Sequence, residues 1–160
     1  MSKDQIISAI YPFIKNKDVL DVGCIEHELG RIGKTRIWVH GFLKQNCSSL
    51  IGIDILEKEA KKLNERGYNI EVQNAESFKF DKKFEVIFAG NLIEHLSNKG
   101  LFLDRCAMHL KKNGYLILTT ENAFCLRNII QCLRKNTNEP ENNPEHTCYL
   151  TPNNLKELLR

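Results

Sequence analysis

Apolar positions along this chain fall into two patterns, short runs and helical stripes, and the two alternate. Ile6, Ile7, Ile10 and Ile14 recur at helical spacing and predict a short amphipathic helix, with Ser2 or Asp4 near its start. Val19 to Val22 is an apolar run interrupted by one carboxylate, Asp21, and broken at Gly23, the pattern of a buried strand entering a tight turn. A helical pattern follows over Ile37 to Asn46, where Trp38/Phe42 and Val39/Leu43 are i, i+4 pairs that predict a core face. Leu50 to Ile53 is the next apolar run and closes on Asp54. Leu56 to Leu63 reads as a charged surface helix stopped by Gly67, with Glu57 and Lys61 in the favoured i, i+4 orientation.

The second half continues the alternation. Asn69 to Gln73 has period two and predicts the third strand, and Lys82 to Gly90 predicts the fourth. Ser97 and Asn98 offer a cap for a helix through Leu101, Leu103, Ala107 and Leu110, with Lys111 and Lys112 at its negative end and Gly114 ending it. Tyr115 to Thr120 is the fifth predicted strand. Leu126, Ile129, Ile130 and Leu133 predict the apolar face of another helix, with Arg127, Arg134 and Lys135 on its other side. Residues 136–147 are polar, contain Pro140 and Pro144, and read as a loop; Thr151 and Pro152 then open a last helix through Leu155, Leu158 and Leu159.

Strands alternating with helices predict an α/β fold with a mostly parallel sheet. The order strand, glycine turn, helix, strand, carboxylate is the layout by which such sheets hold a nucleotide-like ligand at the carboxyl ends of their strands. Asp54 is placed to accept hydrogen bonds from the two hydroxyls of a ribose, and Gly23 allows a close ligand approach that a Cβ would forbid. Gly33-Lys34-Thr35 does not make a phosphate loop, because that motif needs a glycine at position 28, which is Glu28. His40 is read as a structural histidine.

Composition narrows this little further. With 160 residues, 42% hydrophobic and 27% charged, the chain suits one core and not two. A net charge of +3 selects no anionic partner, and six cysteines without a Cys-x-x-Cys pair point away from zinc-ribbon chemistry. The absence of a signal or spanning segment predicts a cytoplasmic protein with reduced thiols and no membrane role.

Val19 to Cys24 resembles the first half of the first motif of class I S-adenosylmethionine-dependent methyltransferases, although Ile25 and His27 stand where that family usually has glycines. Asn74-Ala75-Glu76 is similar to the family's Asp-Ala-Glu, Asn91-Leu92-Ile93-Glu94-His95-Leu96 to its segment after the fourth strand, and Leu110 to Leu118 to its turn before the fifth. The resemblance runs from about Val19 to Leu159. It implies a Rossmann-like, doubly wound sheet with helices on both faces in one domain, 1–160, lacking the last two of the usual seven strands. The leading helix would either cover the cofactor or acceptor, as in that family, or serve only as a structural cap. The implied cofactor is S-adenosylmethionine, held by Asp21, Gly23, Cys24, Asp54, Ile55, Asn74, Ala75, Glu76, Gly90 and Asn91.

The implied chemistry is in-line displacement at an activated methyl group, with a base useful for a hydroxyl acceptor. His146 is the expected acid/base residue, in the loop that should overhang the pocket, and His95 is the other histidine so placed. The favoured expectation is O-methylation of a small molecule or glycan intermediate, with no resident metal and no nucleic acid. Two alternatives stand beside it. One is metal-assisted 2′-O-methylation at RNA 3′ ends through Glu94, His95 and His146, where Asn91 replaces a usual glutamate; the other is a non-catalytic, cofactor-binding fragment. A sheet without its last strands would also leave an open edge for a homodimer.

Overall fold

The computed structural model describes residues 3–25, 38–135 and 145–160. The 26–36 insertion, most of the 136–147 loop and the Ser2 cap therefore lie outside the described residues. Elements follow in the order α1 (Lys3–Ile14), β1 (Asp18–Val22), α2 (Val39–Asn46), β2 (Ser49–Asp54), α3 (Glu57–Asn64), β3 (Ile70–Val72), β4 (Phe84–Gly90), α4 (Lys99–His109), β5 (Leu110–Thr119), α5 (Leu126–Lys135) and α6 (Pro152–Leu158). The strands form one parallel sheet in the order β3-β2-β1-β4-β5. This is the expected doubly wound α/β architecture, and its order reverses between β1 and β4, where such sheets open a crevice at their carboxyl ends.

Strand periodicity sorts the core onto two faces. Leu20, Val22, Ile53, Ile87 and Ala89 pack with Phe102 and Cys106 of α4. Val19, Val86 and Phe88 face the other way, onto Ile10 and Ile14 of α1 and Leu43 of α2. Phe84 shares a face with Ile87 and not with Val86, a break in period two at the register shift between Phe84 and Val86. That bulge also corrects the sequence reading of α4. The helix ends at His109, and Leu110 is already a strand residue paired with Phe84, while Asn113 takes φ 64° before the ladder resumes at Tyr115. Lys111, Lys112 and Gly114 thus lie in β5 rather than at a helix terminus.

Two predicted helix faces also differ. In α4 the buried stripe is Phe102, Cys106 and His109, with Leu101 exposed. The Phe102 ring takes the core position, and His109 is satisfied at both nitrogens, accepting from the Phe80 amide at Nε2 (3.0 Å) and donating from Nδ1 to the Arg105 carbonyl (2.7 Å). In α5 the side turned inward is that of Asn128, whose amide lies 3.3 and 3.4 Å from the Asn122 and Ala123 carbonyls. Leu126, Ile129, Ile130 and Leu133 are exposed there. Among the described residues no helix is long and apolar enough to cross a membrane.

Candidate functional site

The carboxyl ends of β1, β2 and β4 open into a cleft of about 1080 Å³, a volume suited to a cofactor-sized ligand. Its floor is the turn after β1. Gly23 has φ +70°, and a Cβ there would stand 2.9 Å from Leu92 Cδ1. Its amide and that of Cys24 both donate to the Ile53 carbonyl, at 2.8 and 3.2 Å, which ties the turn to β2. The positive φ favours glycine at this point, and any side chain would also have to displace the Leu92 methyl.

Two buried carboxylates frame the turn. Asp54 Oδ2 accepts from the Ile25 amide (2.9 Å) and Oδ1 from the Leu56 amide (3.2 Å), so the group is fixed from both flanks. Asp21 is held by His40, whose Nδ1 lies 2.8 Å from Asp21 Oδ2 with both side chains almost wholly buried. Gly52 leaves the room for that contact: a Cβ at 52 would sit 2.6 Å from Cys24 Sγ and 2.7 Å from His40 Cε1. His40 is structural, as expected, but its partnership with Asp21 was not visible in the sequence. Trp38, expected on the helix core face, instead precedes α2 and donates from its indole nitrogen to the Cys24 carbonyl (3.0 Å). Burial, with Asp21 and Asp54 nearby, pushes the Cys24 thiol far up, which keeps it protonated and inert.

All ten expected cofactor residues line this one cleft. Ile55 and Asn91 are exposed at it, Ala75 is buried, and Gly90 and Glu76 are half-buried. Asn74 Oδ1 accepts from the Glu76 amide (2.8 Å) and Glu76 in turn accepts from the Asn98 amide (2.8 Å), so this corner is braced to the start of α4. Asn91 takes φ 50°, a strained conformation held by its amide donating to the Thr119 carbonyl at 2.8 Å. Lys3, Asp4 and Ile6 of α1 also line the cleft.

The expected acid/base residue lies to one side. His95 lines the cleft; His146 does not, and its ring centroid lies 4.7 Å from that of His95 and 5.7 Å from that of Tyr149. Thr147 holds the segment: its amide donates to the Glu94 carbonyl (2.8 Å), and its hydroxyl lies within hydrogen-bond distance of the Glu94 and Leu96 carbonyls. Glu94 is 2% exposed and accepts from the Thr120 hydroxyl at Oε2 (2.9 Å). Its Oε1 and His146 Nδ1 are buried with no hydrogen-bond partner.

Comparison with known proteins agrees with this geometry. A family model described as a methyltransferase domain matches residues 4–160. A ubiquinone biosynthesis O-methyltransferase of Pelagibacter ubique is 28% identical over 113 residues, covering 68% of this chain and 44% of the relative. One from Rickettsia canadensis is 26% identical over 163 residues, covering 96% of this chain and 64% of the relative. The chain thus spans about half to two thirds of the length of these relatives. Among solved structures, the YcgJ protein of Bacillus subtilis superposes with a TM-score of 0.67 at 17% identity, covering 97% of this chain and 66% of that one. An S-adenosylmethionine-dependent methyltransferase of Mesorhizobium loti gives 0.60 at 15% identity, covering 74% and 52%.

Proposed function

This chain belongs to the methyltransferase-domain family, and from that premise we propose that it binds S-adenosylmethionine in the β1–β2–β4 cleft and methylates an oxygen of a small molecule. The observation that carries the reading is the convergence of the Gly23 turn and the fixed Asp54 carboxylate on one cleft. The residues fit the cofactor by charge and shape. Asp54 is pre-oriented to accept from ribose hydroxyls, and Ile55 offers an exposed apolar side chain beside it for a base. The Asn74–Glu76 corner presents polar groups beyond that, and the bare Gly23 turn admits the methionine end.

When bound, S-adenosylmethionine would supply an activated methyl group on a positively charged sulfur for an acceptor oxygen, with the C–S bonding pair left on sulfur as the C–O bond forms. What this chain contributes is position and proton handling. The cleft orients both reactants, and His95, which lines it with His146 beside it, takes the proton the acceptor hydroxyl gives up. The names of the curated relatives support an oxygen acceptor on a small molecule.

Calorimetry with S-adenosylmethionine tests the reading. The chain should bind one equivalent, and Asp54→Ala should bind roughly tenfold or more weakly, since hydrogen bonds to a charged group contribute about 1.5–3 kcal/mol. Unchanged affinity in that variant takes Asp54 out of the site. Transfer of a labelled methyl group to a panel of hydroxylated small molecules then tests the acceptor class.

A further inference from the structure

His40 and Asp21 are an acid–base pair that the methyl transfer described above does not use. Their side chains are 1% and 4% exposed, so water screens them little, and Nδ1 lies 2.8 Å from Oδ2. Both residues line the cleft. The charge they carry there can take two values: a neutral imidazole leaves the pair with one negative charge, and an imidazolium cancels it. His40 also lines a second cavity of about 220 Å³, together with the exposed residues Lys44, Ser48, Ser49 and Asn69. The ring thus stands between the cleft and a surface opening, and a proton can reach it without crossing the cleft. Its bond to Asp21 is the one hydrogen bond it makes among the described residues, which leaves Nε2 to gain or lose that proton.

The other charged or titratable groups close by are Cys24 beside the ring, Asp54 at the end of β2, and Tyr68, whose ring lies 5.8 Å from that of His40 and carries the Lys44 ammonium. Lys3 and Asp4 of α1 are on the cleft wall. Burial, and then the charges of Asp21 and Asp54, push the Cys24 thiol up, so it stays neutral. Imidazole is the side chain that ordinarily changes charge between about pH 5 and 8.

We infer that His40 is a positioning residue that sets the charge the cleft shows its ligand, and so decides how strongly the site prefers a sulfonium to an uncharged thioether. The inference rests on the proposed function, in which S-adenosylmethionine enters with a charged sulfur and S-adenosylhomocysteine leaves without one. The two molecules are otherwise alike, so most contacts cancel when their affinities are compared. What remains is the charge on sulfur against the charge of the pair. With His40 neutral, Asp21 attracts the cation and the spent product is held less tightly than the fresh cofactor. With His40 protonated that attraction is cancelled and the product competes. By linkage the cationic ligand also disfavours the ring's proton, so its binding expels one.

Calorimetry of the full chain with each ligand, from about pH 5.5 to 8.5, tests this. The affinity ratio of S-adenosylmethionine to S-adenosylhomocysteine should rise with pH by about tenfold. Near neutral pH the cationic ligand should release more protons than the thioether, read from heats in two buffers of different ionisation enthalpy. His40→Asn keeps a donor for Asp21 and cannot ionise, so its ratio should stay at the high-pH value throughout. Should that variant not fold, NMR of histidine-labelled protein reads the same event. The imidazole with cross-peaks to the Trp38 indole, 5.1 Å away, should titrate at lower pH with S-adenosylmethionine bound than with S-adenosylhomocysteine. A ratio that does not change with pH overturns the inference, as does a pH dependence that survives in folded His40→Asn, which would place the charge on His95 or elsewhere. A constant ratio between two ligands that both bind overturns the inference alone, whereas binding of neither ligand at any pH takes the proposed function down with it.

Discussion

The two sides of the cleft treat their buried polar groups in opposite ways. On the β1–β2 side they are engaged within the protein. Asp21 faces His40, Asp54 holds two backbone amides, and the Gly23 and Cys24 amides share one carbonyl. On the β4–β5 side Glu94 Oε1 and His146 Nδ1 are buried without partners. The first arrangement is preorganised: a ligand meets groups already fixed, and little ordering is left to oppose binding. The second leaves polar atoms unsatisfied, each at a cost of about 1–3 kcal/mol.

Gly23→Val attacks that contrast most strongly, because it forces a β-branched residue into positive φ and into Leu92. With strain of about 1–3 kcal/mol added to the clash, cofactor binding should fall by a hundredfold or more and the fold should lose stability. A variant that is folded and binds normally in calorimetry would show that the turn is not the cradle. His40→Ala comes next. It strips Asp21 of its buried partner and should cost about 1–3 kcal/mol of stability, visible in a urea melt of the free protein. If the melt does not move, the β1–β2 side is not held as described.

The smallest effect lies at the far end of the sheet, where Asp18 meets Ser49, Lys82 and Lys111. Burial acts to raise the Asp18 carboxyl, but hydrogen bonds from Ser49 and Lys82 and the charges of Lys82 and Lys111 outweigh it and hold it below the usual range. A carboxyl depressed in the folded state contributes stability that is present above its unfolded value, about pH 4, and is lost as pH falls through the folded one. Asp18→Asn should therefore cost no more than about 1 kcal/mol at neutral pH, since its lysine partners are solvated. The gap from the unmodified chain should shrink on acidification. A gap that stays constant from pH 7 to low pH would show that this carboxyl is not responsible.

How legible each feature was depended on how local its cause is. Strands β1, β2 and β4 are apolar runs closed by Gly23, Asp54 and Gly90, so their carboxyl ends and the cleft-lining residues on them could be read directly. The end of α4 could not, because Leu110 is turned into a strand by pairing with Phe84, a residue 26 positions away. The buried stripe of α4 was missed by one position because Leu101 and Leu103 looked as apolar as Phe102, and only the cavity left by the sheet decides between them. His40 was identifiable as structural but its carboxylate was not, since Asp21 reaches it only through the parallel pairing of β1 and β2 and the gap left at Gly52. His146 was picked out by its place in a resemblance. The same resemblance grouped it with Glu94 and His95, but the Thr147 bonds that hold that segment to the Glu94 turn are long-range and leave no periodic trace.

Trp38 is the sole tryptophan of the chain, and it stands on the cradle with its indole bonded to the Cys24 carbonyl and its ring 4.8 Å from that of Tyr68. Light taken up at the red edge of the protein's absorption is thus emitted from a single place, the wall of the cleft beside the Gly23 turn. The molecule carries its own optical probe there. Its emission colour and intensity register the polarity and rigidity of the cradle, so occupancy can be followed in unlabelled protein at concentrations far below those calorimetry needs.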